Sequence, residues 1–146
     1  MFRGSSVTKI DAKGRLKLPS DFRRVLEETW GRDVFVTSVR GEVAQLFPLP
    51  VWESIESRLL ALPTTDRTRQ RFLQRVNYFG QQGRIDAQGR LVVNPILREA
   101  AGVTGEVVVC GNLDHLQIWN RERFLSRLEE EPFSDEDYGD LSLKGV

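Results

Sequence analysis

Two stretches of the chain alternate between apolar and polar residues, which is the pattern of a β-strand with one buried face. The apolar positions that share a face are Ile10, Leu16 and Leu18 in the first stretch, and Ile85, Leu91 and Val93 in the second. Each alternating run is interrupted by a step that accepts a tight turn, Lys13-Gly14 or Gln88-Gly89. Each stretch is therefore predicted to form a β-hairpin that buries one face.

The opposite face of each predicted hairpin is polar and mainly basic. Counting by twos places Lys9, Asp11, Arg15 and Lys17 on this face in the first hairpin, and Arg84, Asp86 and Arg90 in the second. Each hairpin is thus expected to present cations to solvent or to a partner.

The two hairpins belong to an internal repeat. Residues 10–16 read IDAKGRL and residues 85–91 read IDAQGRL, an offset of 75 at which six of seven positions are identical. The same offset places Arg98 on Arg23, and a later offset of 72 places residues 106–108 on residues 34–36. Each half is predicted to contain strand, turn, strand, helix, strand and strand.

Apolar residues at helical spacing connect the halves. They form two predicted amphipathic helices separated by residues 63–66, and a last helix is expected from about Arg121 to Glu130 before Pro132. The predicted division is residues 1–50 for the first module, 51–80 for a connecting helical hairpin, 81–128 for the second module with its terminal helix, and 129–146 for an acidic, disordered tail.

Charge is balanced overall and uneven along the chain. The 21 Lys and Arg residues equal the 21 Asp and Glu residues, and 40% of the chain is hydrophobic, as in an ordinary globular protein. Residues 129–146 contain seven acidic residues and one lysine, a net charge of −6, whereas residues 1–32 and 63–90 each carry +4. The two basic segments are expected to attract polyanions.

The sequence contains few candidate catalytic residues. His115 and Cys110 are the only residues of their kinds, and Cys110 follows an apolar run that indicates a packed thiol. Because there is no glycine-rich phosphate loop and no metal-ligand spacing, we expect neither catalysis nor a cofactor. A cytoplasmic protein is expected, since no apolar run approaches the roughly 20 residues that cross a bilayer.

The opening MFRGS, the boxes IDAKGRLKLP and IDAQGRLVV, and the segment FPLPVWESIESRL resemble the MraZ family from Met1 to about Leu128. The most specific signal is the doubled D-x-x-x-R motif, although Asn94-Pro95 departs from the usual family pattern after the second box. The resemblance implies an α+β fold of two tandem AbrB/MazE-like swapped-hairpin modules, interlocked about a pseudo-two-fold axis. It also implies a ring-forming, nucleoid-associated transcriptional regulator that binds double-stranded DNA at repeated boxes upstream of its own division and cell-wall gene cluster.

Arginine can grip phosphate or the acceptors of guanine, so Arg15 is the leading candidate for DNA contact. The further candidates are Lys13 and Lys9 beside it, Arg3 on a flexible start, and Arg90 and Arg84 in the second half. Arg90 either contacts DNA or faces a neighbouring subunit. Asp11 and Asp86 are expected to organise the turns at Gly14 and Gly89, since a carboxylate facing phosphate would repel it.

Two alternatives remain open on the sequence alone. The arginine run of residues 67–75 is interpreted as a solvated helix face or a subunit contact rather than a DNA contact. The runner-up function is an interaction hub without DNA binding or an antitoxin-like module, because swapped-hairpin folds also serve in toxin–antitoxin pairs.

Overall fold

The computed structural model describes residues 1–146 and contains eight strands and six helices. The first half contains β1 (Ser5–Ile10), β2 (Arg15–Lys17), α1 (Ser20–Thr29), β3 (Asp33–Thr37) and β4 (Ala44–Pro48), followed by α2 (Leu49–Leu60) and α3 (Arg67–Phe79). The second half contains β5 (Gln81–Arg84), β6 (Arg90–Val92), α4 (Pro95–Ala101), β7 (Gly105–Asn112) and β8 (His115–Asn120), followed by α5 (Arg121–Glu130) and α6 (Asp135–Leu143). The predicted α+β class is confirmed.

All strands belong to one antiparallel sheet with the order β5-β3-β4-β8-β7-β1-β2-β6. β1 pairs with β7 and β5 pairs with β3, so the hairpin of each half adds to the sheet of the other half. The end strands also meet, because the Asp86 amide donates to the Arg90 carbonyl at 3.0 Å. The sheet is therefore a nearly closed barrel of interlocked, swapped hairpins, as expected.

Two strand pairs reveal the pseudo-two-fold axis. In the pair of β2 with β6, Leu16 lies opposite Leu91, its own counterpart at the offset of 75. In the pair of β4 with β8, Gln45 lies opposite Gln117, its counterpart at the offset of 72. A residue faces its own repeat only on a two-fold axis, so the axis passes through both pairs.

The apolar faces predicted for the two hairpins form a single core inside the barrel. Ile10, Leu16, Leu18, Ile85, Leu91 and Val93 are all buried and belong to one continuous cluster. Helices α1 and α4 cover this core, with Leu26 and Leu97 fully buried. Because the core is shared, neither half is expected to fold alone.

The helical hairpin of α2 and α3 packs on a smaller second cluster. Trp52 is buried there with Phe47 and Val76, and its ring stacks on Phe35 at a centroid distance of 4.7 Å. Asp66 starts α3 by accepting a hydrogen bond from the Arg69 amide at 2.8 Å. The α2–α3 hairpin is thereby fixed against β3 and β4.

The start of α4 follows the sequence signals. Asn94 is the N-cap and accepts a hydrogen bond from the Ile96 amide at 3.1 Å, with Pro95 at the first helical position. Gly102 ends the helix in the left-handed region, at φ 64°. The departure from the family pattern at Asn94-Pro95 therefore leaves the helix in place.

The sequence alignment of β3 with β7 was wrong by one residue. It placed Val34 on Glu106. In the structure, Val34 pairs with Pro48, and Val107 pairs with Asn120, the counterpart of Pro48 at the offset of 72. Val34 is therefore the counterpart of Val107. Both valines are fully buried, whereas half of the Glu106 side chain is exposed. Because strand side chains alternate, a slip of one residue exchanges the two faces.

The C-terminal tail also differs from the expectation of a disordered segment. Residues 135–143 form α6, which starts with a capping box between Ser134 and Asp137. Acidic residues in the first turn stabilise this helix because their negative charges lie near the positive end of its dipole. None of its residues is buried, so α6 is helical without joining the core.

The axis pairing predicts a large stability difference between neighbouring positions of β6 and β2. Leu16→Ala is expected to lower the free energy of unfolding by about 2–5 kcal/mol, because it leaves a cavity in the shared core. Val92→Ala is the matched control and should change it by less than about 0.5 kcal/mol, since Val92 is 54% exposed. Urea denaturation at fixed protein concentration measures both, and equal losses would contradict the shared core.

Candidate DNA-binding surface

The first D-x-x-x-R loop is organised by its aspartate. Oδ1 of Asp11 accepts hydrogen bonds from the amides of Lys13 at 2.9 Å and Arg15 at 3.0 Å. Oδ2 accepts a third from Nε of the Arg15 side chain at 2.8 Å. One carboxylate thus holds the backbone of the loop and one edge of the Arg15 guanidinium.

The second loop repeats the backbone part of this arrangement. Oδ1 of Asp86 accepts hydrogen bonds from the amides of Gln88 at 2.8 Å and Arg90 at 2.9 Å. The Arg90 side chain makes no ion pair with Asp86, in contrast to Arg15 with Asp11. Arg90 is therefore the less constrained of the two motif arginines.

Donated hydrogen bonds favour the ionised form of both aspartates. The amide of Arg15 is the main cause of the lowered pKa of Asp11, and the amide of Arg90 is the main cause for Asp86. Both carboxylates therefore stabilise their own turns.

Each loop is also tied to the opposite half. The Leu18 amide donates to the Gly89 carbonyl at 2.8 Å, and the Val93 amide donates to the Gly14 carbonyl at 2.9 Å. Gly14 and Gly89 adopt φ of 81° and 78°, in the left-handed region that favours glycine. The two loops are consequently held in a fixed relation to each other.

Two arginines that the sequence analysis did not select pack on these glycines. A Cβ atom at Gly14 would lie 2.6 Å from Nε of Arg98, which belongs to α4 of the other half. A Cβ atom at Gly89 would lie 3.2 Å from Cδ of Arg23 in α1, whose Nη2 donates to the Ala87 carbonyl at 2.8 Å. The available signal was the equivalence of Arg23 and Arg98 in the repeat.

The pairing of β2 with β6 collects cations on one outward face, here called the basic ribbon (Arg15, Lys17, Arg90 and Val92). Arg15 lies opposite Val92, and Lys17 lies opposite Arg90. Opposite side chains in such a pair have Cβ atoms about 4.5–5.5 Å apart, so Lys17 and Arg90 are direct neighbours of like charge. The structure therefore brings both motif arginines to one surface.

The other predicted contact residues lie around the ribbon in different surroundings. Lys13 is exposed in the first loop. Lys9 lies opposite Glu106 on β7, and Arg84 lies opposite Asp33, to which it makes an ion pair at 3.1 Å. Carboxylates on the neighbouring strands thus partly offset the charges of Lys9 and Arg84.

Arg3 does not lie on a free chain start. The preceding residue, Phe2, is buried, and its amide donates to the Leu113 carbonyl at 2.7 Å. Its ring packs against Trp30 at a centroid distance of 5.4 Å. The flexible start expected from the sequence is therefore replaced by an anchored one, with Arg3 exposed beside it.

Residues that could serve catalysis or metal binding are few. The His115 ring contacts Asp114 at 2.9 Å and stacks on Phe47, and Cys110 is half-buried in β7. The structure contains no group of three or more His, Cys, Asp or Glu residues arranged to hold a metal ion. None of its helices combines the length and the apolar character that crossing a membrane requires.

Comparison with known proteins settles the family. A sequence model of MraZ, described as "MraZ protein, putative antitoxin-like", matches residues 1–75 and 80–141, which include both D-x-x-x-R loops. The chain belongs to the MraZ family. A MraZ relative from Acidobacterium capsulatum is 47% identical over the full length of both chains, and one from Koribacter versatilis is 45% identical, also over both full lengths.

A more distant MraZ relative, from Escherichia coli O127:H6, is 32% identical over 97% of this chain and 95% of its own. All three relatives carry the name "Transcriptional regulator MraZ". The resemblance inferred from the doubled motif is thereby confirmed.

The packing of Arg98 on the first loop predicts unequal effects of two glycine substitutions. Gly14→Ala and Gly4→Ala both place a side chain at positive φ, which costs roughly 1–2 kcal/mol. Only Gly14→Ala also displaces the Arg98 guanidinium, together with the hydrogen bond that its Nε donates to the Val93 carbonyl, because the space around Gly4 is open. Chemical denaturation should therefore show a larger loss of unfolding free energy for Gly14→Ala, and equal losses would contradict the packing.

The hydrogen-bonded aspartates predict a dependence of stability on pH. Their pKa values in the folded state lie below the ordinary value of 3.8, so they stabilise the fold above that pH, and the contribution is lost as pH falls through the folded pKa. The variant with Asp11→Asn and Asp86→Asn should be less stable than the parent at pH 7, with a difference that shrinks in acid. A difference that is constant from pH 7 to pH 3 would argue against ionised acceptors.

Proposed function

We propose that this chain is a transcriptional regulator that binds double-stranded DNA through the basic ribbon and the two loops beside it. The observation that carries the proposal is the position of Lys17 opposite Arg90, on the face turned away from the core. Like charges placed directly opposite destabilise a sheet. A polyanion bound across the ribbon offsets that repulsion.

The loop geometry suggests different roles in DNA binding for the individual cations. Cations that meet phosphates supply most of the affinity through the release of counterions, whereas contacts to base edges supply specificity. Asp11 holds the Nε edge of Arg15, which orients the guanidinium without burying it. We assign Arg15 to base or phosphate contact, and Lys13 and Lys17 to phosphates.

The names of the relatives support the regulatory part of the proposal, since the three relatives described above are called transcriptional regulators. The proposed target is a set of repeated boxes upstream of the chain's own division and cell-wall gene cluster. A regulator acting there would be associated with the nucleoid.

We further propose that chains assemble into a closed ring. One ribbon offers few phosphate contacts, so several identical ribbons on successive boxes are needed to raise the effective concentration. Exposed leucines on helices outside the barrel offer surfaces for subunit contact, at Leu60 on α2 and at Leu125 and Leu128 on α5. In such a ring, assembly is part of the binding mechanism.

Arg15→Ala is expected to weaken binding roughly 5- to 150-fold, measured with a labelled duplex from the region upstream of the gene. The variant protein should keep its fold. Fluorescence anisotropy over a salt series measures the effect. Arg40→Ala is the matched control, because Arg40 is an exposed arginine between β3 and β4, outside the ribbon, its loops and the helices proposed for subunit contact. Equal affinities of the Arg15→Ala variant and the parent would refute the site assignment.

The same titration tests the function itself. The parent should prefer the upstream duplex over a scrambled duplex of equal length, with steep dependence on salt. Absence of binding at low salt, or absence of preference, would favour the alternative of an interaction hub or antitoxin-like module.

Light scattering on the parent without DNA tests the ring. The expected mass is a whole multiple of the 16.7 kDa chain, and a monomer at binding concentrations would contradict the multivalent mechanism.

A further inference from the structure

Arg23 and Arg98 occupy equivalent positions of the repeat, and each reaches the loop of the opposite half. Their surroundings differ because only Arg23 has a carboxylate partner. Nε of Arg23 makes an ion pair with Glu27 at 3.0 Å, and the same carboxylate oxygen also pairs with Arg32 at 3.3 Å. Gly102 stands at the position equivalent to Glu27, and Nε of Arg98 donates instead to the neutral Val93 carbonyl at 3.1 Å.

The charged end of the Arg98 side chain reaches from α4 to the first loop. Its guanidinium lies against Gly14, whose neighbours in sequence are the cations Lys13 and Arg15, and a side chain at Gly14 would overlap it. The only carboxylate of that loop, Asp11, is engaged by two amides and by Arg15. Asp11 makes no ion pair with Arg98, whose contacts are with Gly14 and the Val93 carbonyl.

The second loop and its strand lack two of the cations found at the equivalent positions of the first. Gln88 stands in place of Lys13, and Val92 stands in place of Lys17. The arginine that packs on this loop, Arg23, is paired with Glu27. The pseudo-symmetric fold therefore carries two electrostatically unequal loops.

We infer that Arg98 is a phosphate-contacting residue of the first loop's DNA site, although it belongs to the other module, and that Arg23 only positions the second loop. This inference rests on the proposed function and deepens it. A planar guanidinium with its outer nitrogens free suits phosphate, whereas Arg23 is engaged by a carboxylate and by the Ala87 carbonyl. Each chain consequently binds DNA asymmetrically, with the first loop dominant.

The repeat supplies a matched pair of variants, Arg98→Gln and Arg23→Gln, in the full-length chain. Affinity for the upstream duplex is measured by anisotropy over a salt series. Arg98→Gln should reduce the slope of log K against log salt by about 0.9 for each engaged subunit, which is roughly eightfold in affinity per tenfold change in salt. Arg23→Gln should leave the slope unchanged, because a positioning residue releases no counterion.

A second measurement needs no variant. Phenylglyoxal modifies accessible arginines, and peptide mass spectrometry of the parent gives the extent of modification at each position. Added duplex should protect Arg98 and leave the modification of Arg23 unchanged. This result keeps the inference testable if Arg98→Gln does not fold.

The outcomes separate the two levels of the proposal. If the parent binds DNA but the slope is unchanged in Arg98→Gln, or falls equally in Arg23→Gln, the role of Arg98 is refuted while the proposed function stands. Equal protection of both arginines, or none at Arg98, refutes it in the same way. If the parent does not bind the duplex at all, the proposed function fails, and this inference fails with it.

Discussion

β2 and β6 are only three residues long, and each is held in place because it pairs with the other across the pseudo-two-fold axis. Isolated hairpins of this size are marginal in water, so neither could persist without its partner. Leu16 and Leu91 bury the inner side of the pair, and the Gly14 and Gly89 carbonyls accept amides from the opposite half. The interlocked barrel, the shared core and the fixed spacing of the two loops all depend on this pairing.

The candidate site follows from the same pairing. Because strand side chains alternate, burying Leu16 and Leu91 forces Arg15, Lys17 and Arg90 to the outer face. Asp86 accepts hydrogen bonds from local amides only, whereas Asp11 also pairs with Nε of Arg15. Lys17 and Arg90 have no carboxylate partner on this face. A two-stranded basic surface of this kind matches the width of the DNA major groove.

Local patterns in the sequence were sufficient for the hairpins, their buried faces and the order of elements, since the alternation around Ile10 and Ile85 depends on neighbouring residues alone. These local patterns did not predict features that depend on contacts between residues distant in sequence. Runs of valine in β7 fit two registers equally well, which allowed the one-residue error at Val34. Contacts of Arg98 with Gly14 and of Arg84 with Asp33 join distant residues, and no local pattern reports them. In the tail, the acidic composition suggested disorder, whereas the capping box at Ser134 starts a helix.

The most direct test of the account is hydrogen–deuterium exchange of the assembled protein with and without the upstream duplex. New protection is expected in the peptides that cover residues 9–17 and 84–92, which form the loops and the basic ribbon. Peptides from the α2–α3 hairpin and from α5 should exchange at the same rate in both states. Protection confined to those helices, or absent from both loops, would contradict the claim that the paired loops are the DNA-binding surface.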